Sequence, residues 1–236
     1  MRISLFSLIL MQNLGNYKKW NNKPLKFHLV LNPNHPYLDS RHIKMETRKY
    51  FGIGYCYKGI FAGRICIPIH DEHGRLIAYS ARSVNGSKPK YLLPRGFKKS
   101  EIVYNYHRVK NMNNKEMIVV VEGYFDVFKL HQEGYPAVAL MGSSISKKQV
   151  ELLTGLKPQL VLMFDGDKAG YRCTKEVIRA LRGKRGFKVV KLRKGIQPEM
   201  LKSHDLKELL GNPKYREKYL QIKERSAGSG SKDSRN

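Results

Sequence analysis

Acidic residues are scarce in this chain: 19 Asp and Glu stand against 45 Lys and Arg in 236 residues, a formal net charge of +26. An enzyme that handles only neutral metabolites has no use for such an excess. It points to a polyanionic partner, nucleic acid ahead of an anionic membrane surface. Long apolar runs are missing too, since nothing approaches the roughly 18 residues of a membrane span. Ile3 to Met11 follows Arg2 as a secretory signal would, but no small-residue cleavage site comes after it, and residues 13–23 are polar and basic. The expectation is a cytoplasmic protein with no membrane partner. Cysteine is equally sparse. Cys56, Cys66 and Cys173 are odd in number and far apart, which excludes a disulfide framework and a zinc knuckle and suits a reducing compartment. Cys173 falls in an expected helix and reads as a packing residue.

The length suits one domain with an appended subdomain. Residues 1–24 show no clear pattern. Residues 36–50 read as a short helix ending before Gly52 and Gly54. Two apolar runs, 64–70 and 75–82, flank the four-residue turn Asp71–Gly74 and predict a β-hairpin. Residues 88–94, with Pro near both ends, read as extended, and the polar, basic stretch 107–116 as a linker. From residue 117 short apolar runs alternate with helical patterns: strands at 117–121, 137–141, 159–164 and 187–192, and helices over 124–133, 146–153 and 169–181. Ser146 with Gln149 three residues on has the spacing of a capping box. Such alternation with short links predicts an α/β fold whose parallel sheet is flanked by helices. A basic α+β subdomain precedes it. The expected boundaries are 1–112, 113–194, a short helical segment 195–223 and a disordered tail over 224–236.

Two of the predicted strands run directly into acids. Residues 117–121 end in Glu122-Gly123, with Asp126 four residues after the glutamate; residues 160–164 end in Asp165-Gly166-Asp167, followed by Gly170. Ligands of open parallel sheets bind beyond the carboxyl ends of the strands. Carboxylates gathered there repel one another unless a cation joins them, and oxygen ligands of this kind suit Mg²⁺ or Mn²⁺. Either cluster alone reads as a helix N-terminus or a capped turn. Both together on one sheet, each beside a glycine, favour a metal site. His70, Asp71, Glu72 and His73 form no comparable set: they occupy a predicted turn, where side chains diverge and zinc lacks converging ligands.

The pattern Glu122-Gly-Tyr-Phe-Asp126, then Met141-Gly-Ser-Ser, then Asp165-Gly-Asp167-Lys-Ala-Gly170 resembles a Toprim domain of the bacterial DNA primase type. Gly63-Arg64, Ala81-Arg82, Pro89-Lys90-Tyr91, Lys98-Lys99-Ser100, His35-Pro-Tyr-Leu38 and Phe51-Gly-Ile-Gly-Tyr55 are similar to the catalytic core of such primases, so the likeness runs over residues 23–210. The resemblance implies that Glu122, Asp165 and Asp167 hold Mg²⁺ or Mn²⁺ with support from Asp126 and Glu199. It also implies that Arg64, Arg82, Lys90 and Lys99 line the groove for template and nucleotide, Lys90 and Lys99 acting in catalysis beside Glu122, Asp165 and Asp167. Where the family has a second acid before its proline, this chain has Gln197, which leaves the number of metals open.

The implied activity is synthesis of short RNA primers on single-stranded DNA from ribonucleoside triphosphates. A replicative helicase and a separate zinc-binding domain are the further partners the resemblance allows, because no Cys/His ligand set for the family's N-terminal zinc ribbon is found here. A Toprim nuclease and a catalytically inactive single-strand-binding module of a truncated or mobile-element primase remain the alternatives.

Overall fold

A computed structural model describes residues 22–211, and they divide into two compact units. The expected disordered tail over 224–236 lies outside the described residues, as do residues 212–223 of the expected C-terminal segment and most of the N-terminal stretch 1–24.

The first unit takes the described residues up to Asn111 together with Ser146–Leu152. Its sheet is antiparallel in the order β1 (Gly54–Cys56), β2 (Arg64–His70), β3 (Leu76–Ser83) and β4 (Tyr91–Leu92). The β2–β3 hairpin pairs Arg64 with Ser83 and closes at His70 with Leu76. Its turn is pinned by Asp71, whose Oδ1 accepts from the N–H groups of His73 (3.0 Å) and Arg75 (2.9 Å). Gly74 sits at φ +83°, a left-handed conformation in which a side chain is strained. The core on one side gathers Cys56, Phe61, Cys66, Leu76, Tyr79 and Ala81, with Leu25, Leu29 and Leu31 packed against it.

The single helix expected over 36–50 is two. Helix α1 (Pro36–Ser40) is capped by His35, whose ring Nδ1 accepts from the Tyr37 N–H at 3.1 Å; α2 (Met45–Phe51) ends at Gly52. Between them His42 takes φ +53°, and the Ile43 N–H returns to the Leu38 carbonyl at 3.0 Å. What holds the break is Arg48, only 4% exposed, whose guanidinium donates to the carbonyls of Ile43 (2.7 Å) and Pro33 (3.0 Å) and pairs with Asp39. A buried cation with its donors satisfied outweighs the propensity for one continuous helix. The linker expected over 107–116 also begins later: α3 (Tyr106–Val109) occupies its start. Val109 is buried there, and Arg108 lies over the rings of Tyr50 (5.1 Å) and Phe51 (5.3 Å), so a basic sequence is structural.

From residue 117 the chain alternates β5 (Met117–Val121), α4 (Tyr124–Gln132), β6 (Ala137–Ala139), α5 (Lys147–Thr154), β7 (Gln159–Phe164), α6 (Lys168–Leu181) and β8 (Phe187–Lys191), and its last described helix is α7 (Ser203–Gly211). Most of α5 belongs to the first unit. The expected capping box is present at its start: the Gln149 N–H donates to Ser146 Oγ and the Ser146 N–H to Gln149 Oε1, both at 3.0 Å. The four strands are parallel in the order β6-β5-β7-β8. Ile118 to Val121 and Leu160 to Phe164 are buried throughout, as strands covered on both faces must be. Because β6 lies on one side of β5 and β7 on the other, the connections diverge between β5 and β7, which is where open parallel sheets form their binding crevice. Cys173 is buried in α6, its thiol pushed up to about 12 chiefly by burial, as suits a packing residue. Among the described residues no helix is long and apolar enough to cross a membrane.

In the first unit the His70 and His107 rings lie 4.7 Å apart with their planes tilted by 42°, and neither Nδ1 has a hydrogen-bond partner among the described residues. Burial and the charge of Arg108 lower His70 to about 4 and His107 to about 3, Asp71 only partly opposing this. The unfolded chain binds protons at these rings near the ordinary value of about 6.5, which the folded pair refuses. Stability is therefore present at pH 7.5 and falls as the pH drops through 6.5 toward 4. Guanidinium unfolding midpoints at pH 7.5 and pH 5 should show the loss, and His107→Leu should flatten it.

Candidate active site at the ends of the parallel strands

Glu122 and Asp165 are each the first residue beyond a strand, β5 and β7, and those strands are paired neighbours. They meet: the Asp165 N–H donates to Glu122 Oε1 at 3.3 Å. The two helices that follow are capped by acids of the same motifs. Asp126, in the first turn of α4, accepts from the Gly123 N–H at 3.1 Å; Asp167, N-cap of α6, accepts from the Gly170 N–H at 2.7 Å. Reading Asp126 and Asp167 as helix caps is therefore correct for both, while the acids that meet across the strand ends are Glu122 and Asp165.

Close backbone packing brings a third segment in. The Gly166 N–H donates to the Ile196 carbonyl (2.8 Å), and the Gly195 N–H to the Gly166 carbonyl (2.9 Å). A Cβ on Gly166 would collide with the Arg193 carbonyl, and one on Gly170 with the Asp165 backbone. The loop so docked carries Gln197 and Glu199. Gln197 Nε2 donates to Asp165 Oδ2 at 2.8 Å, and the Glu199 N–H donates to Asp126 Oδ1 at 3.1 Å. Asp126, 6% exposed, thus ties α4 to the turn at Pro198–Met200.

Charge accumulates at this edge. Burial, then the charges of Asp165 and Asp167, raise Glu122 to about 7, although the Asp165 N–H opposes this. Burial, then Asp165 and Glu199, hold the Asp126 carboxyl well above its ordinary range. Among the described residues no three His, Cys, Asp or Glu side chains form a ready-made metal cage. The fit to a cation is one of donor chemistry: hard oxygen donors whose mutual repulsion a divalent cation relieves, which suits Mg²⁺ or Mn²⁺. Zinc's preferred nitrogen and sulfur donors play no part in it.

The basic residues singled out in the sequence all lie in the first unit, and their roles diverge. Arg64 donates to the carbonyls of Pro89 (2.9 Å) and Ala81 (3.3 Å) and to Ser87 Oγ (3.4 Å), so it braces the β3–β4 connection. Arg82 donates to the Tyr91 hydroxyl at 2.8 Å, with its guanidinium 4.9 Å from the Tyr91 ring centroid and 6.0 Å from that of Tyr37. Lys90 and Lys99 are exposed. Sequence reasoning missed the aromatic clamp on Arg82 and the hydrogen bond from Gln197. Tyr37 and Tyr91 were within the quoted motifs, but nothing in their spacing brings them to one guanidinium.

The carboxylates that meet at the switch point of the parallel sheet, beside a glycine-docked loop, lie in residues 119–210, which match the Toprim-like family model. Residues 56–110 match the DNA primase catalytic core, N-terminal domain, and the architecture is that of the bacterial-type primase catalytic core. The DNA primase of Deinococcus radiodurans is 42% identical over 120 residues, covering 48% of this chain and 21% of that protein. The Aquifex aeolicus primase, solved with its zinc-binding and RNA polymerase domains, superposes with a TM-score of 0.71 at 25% identity over 81% of this chain and 58% of that one. A DnaG primase catalytic domain bound to ssDNA shares the fold, with a TM-score of 0.63 at 22% identity over 93% of this chain and 78% of that one. The chain spans about a fifth of the length of the first curated relatives it matches.

Two outcomes check the site. Gly166→Ala should destabilise the second unit by about 1–3 kcal/mol, because rigid backbone must give way. Thermal unfolding reads this directly, and an unchanged midpoint would contradict the docking of the loop. In metal-free protein the Glu122 carboxyl should titrate near 7, followed by carboxyl-carbon NMR. Millimolar Mg²⁺ should move that midpoint downward, since a cation favours the charged form.

Proposed function

We propose that this chain is the catalytic core of a metal-dependent primase that joins ribonucleoside triphosphates into short RNA primers on single-stranded DNA. The observation that carries the reading is the meeting of Glu122 and Asp165 at adjacent strand ends, in a chain that also matches the primase core's N-terminal domain. In this reading residues 1–112 form the basic subdomain, 113–194 the Toprim domain and 195–223 a helical extension, working in the cytoplasm. A replicative helicase or a separate zinc-binding domain completes the assembly.

The reaction is attack of a 3′-hydroxyl on the α-phosphate of an incoming nucleotide, with pyrophosphate leaving. Glu122, Asp165 and Asp167 would hold the cation, with Asp126 and Glu199 in support. Mg²⁺ or Mn²⁺ bound there supplies stabilisation of the charge that builds on the phosphate oxygens. The alternative role of Glu122 is to take the proton released by the attacking hydroxyl, which the burial of its carboxyl favours. Asp165 is oriented from one side by Gln197, and Asp126 keeps the Glu199 turn in register. Lys90 and Lys99 meet template or triphosphate as mobile cations. Arg82 presents a guanidinium stiffened by Tyr91, while Arg64 acts by shaping the loop that carries Lys90.

Incorporation of labelled ribonucleotides on a single-stranded template, with Mg²⁺ or Mn²⁺, tests this. The chain should extend primers, and Asp165→Asn should lose more than about a hundred-fold of that activity with its fold intact, a loss typical of removing charge stabilisation from an active site. Metal-dependent strand cleavage without incorporation would replace the reading with a nuclease. Strand binding with neither activity would leave a binding module.

A further inference from the structure

Helix α6 packs one face on β7, with Cys173, Val177, Ile178 and Leu181 buried along it. The opposite face is cationic throughout. Lys168, Arg172, Lys175 and Arg179 recur at spacings of four, three and four residues. That rhythm places them within an arc of about 60° and over a length of about 16 Å. All four are exposed, and they are the only exposed residues of the helix. Arg182, exposed at the C-terminal cap, continues the row.

A helix face that only meets water commonly interleaves acids with its cations, and each opposite pair adds a little stability. Here every neighbour along the row carries the same sign, which costs the helix a little at each step. Lys168 also stands at the N-terminal end, where the helix dipole disfavours a cation. The one acid of the helix, Glu176, accepts instead from the Ile145 N–H at 3.1 Å, and among the described residues it forms no ion pair with the row. The one aromatic, Tyr171, is engaged as well. Its hydroxyl donates to the Leu192 carbonyl at 3.1 Å, and Lys191 Nζ lies 5.3 Å from its ring centroid. The folded protein thus carries a line of like charges that its own stability does not call for.

We propose that the α6 row is a rail for the phosphate backbone of a nucleic-acid duplex, held without regard to sequence. The occupant follows from what the face has and what it lacks. It offers a straight comb of cations at intervals of about 4.5–6 Å, and a duplex offers a stiff, dense row of phosphates. It offers no free ring on which an unpaired base could stack, the contact that single-strand binders rely on. Helices that lie on an anionic membrane also bury an apolar face in it, and the apolar face of α6 is already covered by the sheet. The row begins next to Asp167 and leads away from the acidic edge. A primer paired with its template is a duplex that starts at that edge. The rail therefore gives the product of the proposed primase a place to lie, and it rests on that reading.

Anisotropy of a labelled RNA–DNA hybrid, beside the unpaired DNA strand of the same length, tests it on the full chain. Arg172→Gln, Lys175→Gln and Arg179→Gln together should weaken hybrid binding roughly ten-fold or more. The slope of log affinity against log salt should become shallower by about 2 to 3, since each lost phosphate contact removes about 0.9. Affinity for the unpaired strand should not change, and the thermal midpoint should hold or rise as like charges leave the helix. Hybrid affinity and slope equal to those of the wild type would overturn the rail alone, as would equal losses on hybrid and single strand. Weaker binding of the variant to phosphatidylserine–phosphatidylcholine vesicles, at unchanged hybrid affinity, would overturn it in favour of a membrane face. Ribonucleotide incorporation separates the rail from the reading beneath it. A wild-type chain that incorporates nothing, with the hybrid loss still seen in the variant, would remove the primase and leave the rail supported.

Discussion

Adjacent parallel strands deliver their ends to the same edge of a sheet, and here both are followed at once by a carboxylate. Glu122 after β5 and Asp165 after β7 cannot be separated without breaking the pairing of Met117 to Val120 with Gln159 to Leu162. Most other features of the second unit accommodate this enforced repulsion. The Asp165 N–H points at Glu122, Gln197 brings a neutral amide to Asp165, and Asp126 and Asp167 turn toward helix N-termini whose dipoles favour negative charge. The glycines at 166 and 170 are the steric condition for this, since any side chain there would push the loop or the helix away. What repulsion remains shows as the raised proton affinity of Glu122, and it is the same quantity that makes the edge receptive to a divalent cation.

The excess of positive charge has two structural fates. Some cations are spent on backbone carbonyls: Arg48 on Ile43 and Pro33, Arg64 on Pro89 and Ala81, Lys110 on Glu72. A guanidinium with several fixed donors can close a bend or a loop where a lysine would hold one point. Others, such as Lys90 and Lys99, remain exposed and able to meet a phosphate backbone. A polyanion would be met by the second set, over a surface kept in shape by the first.

Much of this was legible in the residues alone. Apolar runs of five or six, ending in acids and glycines and alternating with helical patterns, determine a parallel α/β sheet with carboxylates at its carboxyl edge. The reason is local: side-chain periodicity and turn chemistry act within a few residues. The capping box at Ser146 and the hairpin at Asp71–Gly74 were readable on the same grounds. Tertiary structure alone decided that residues 36–50 break into two helices, because the cause is Arg48 reaching back to Pro33. It alone decided that Arg64 braces a loop while Lys90 stays in solvent, and that Gln197 turns its amide to Asp165, 32 residues away. These depend on hydrogen bonds between groups remote in sequence. No periodicity encodes such a partner, and only the closed fold brings it within reach.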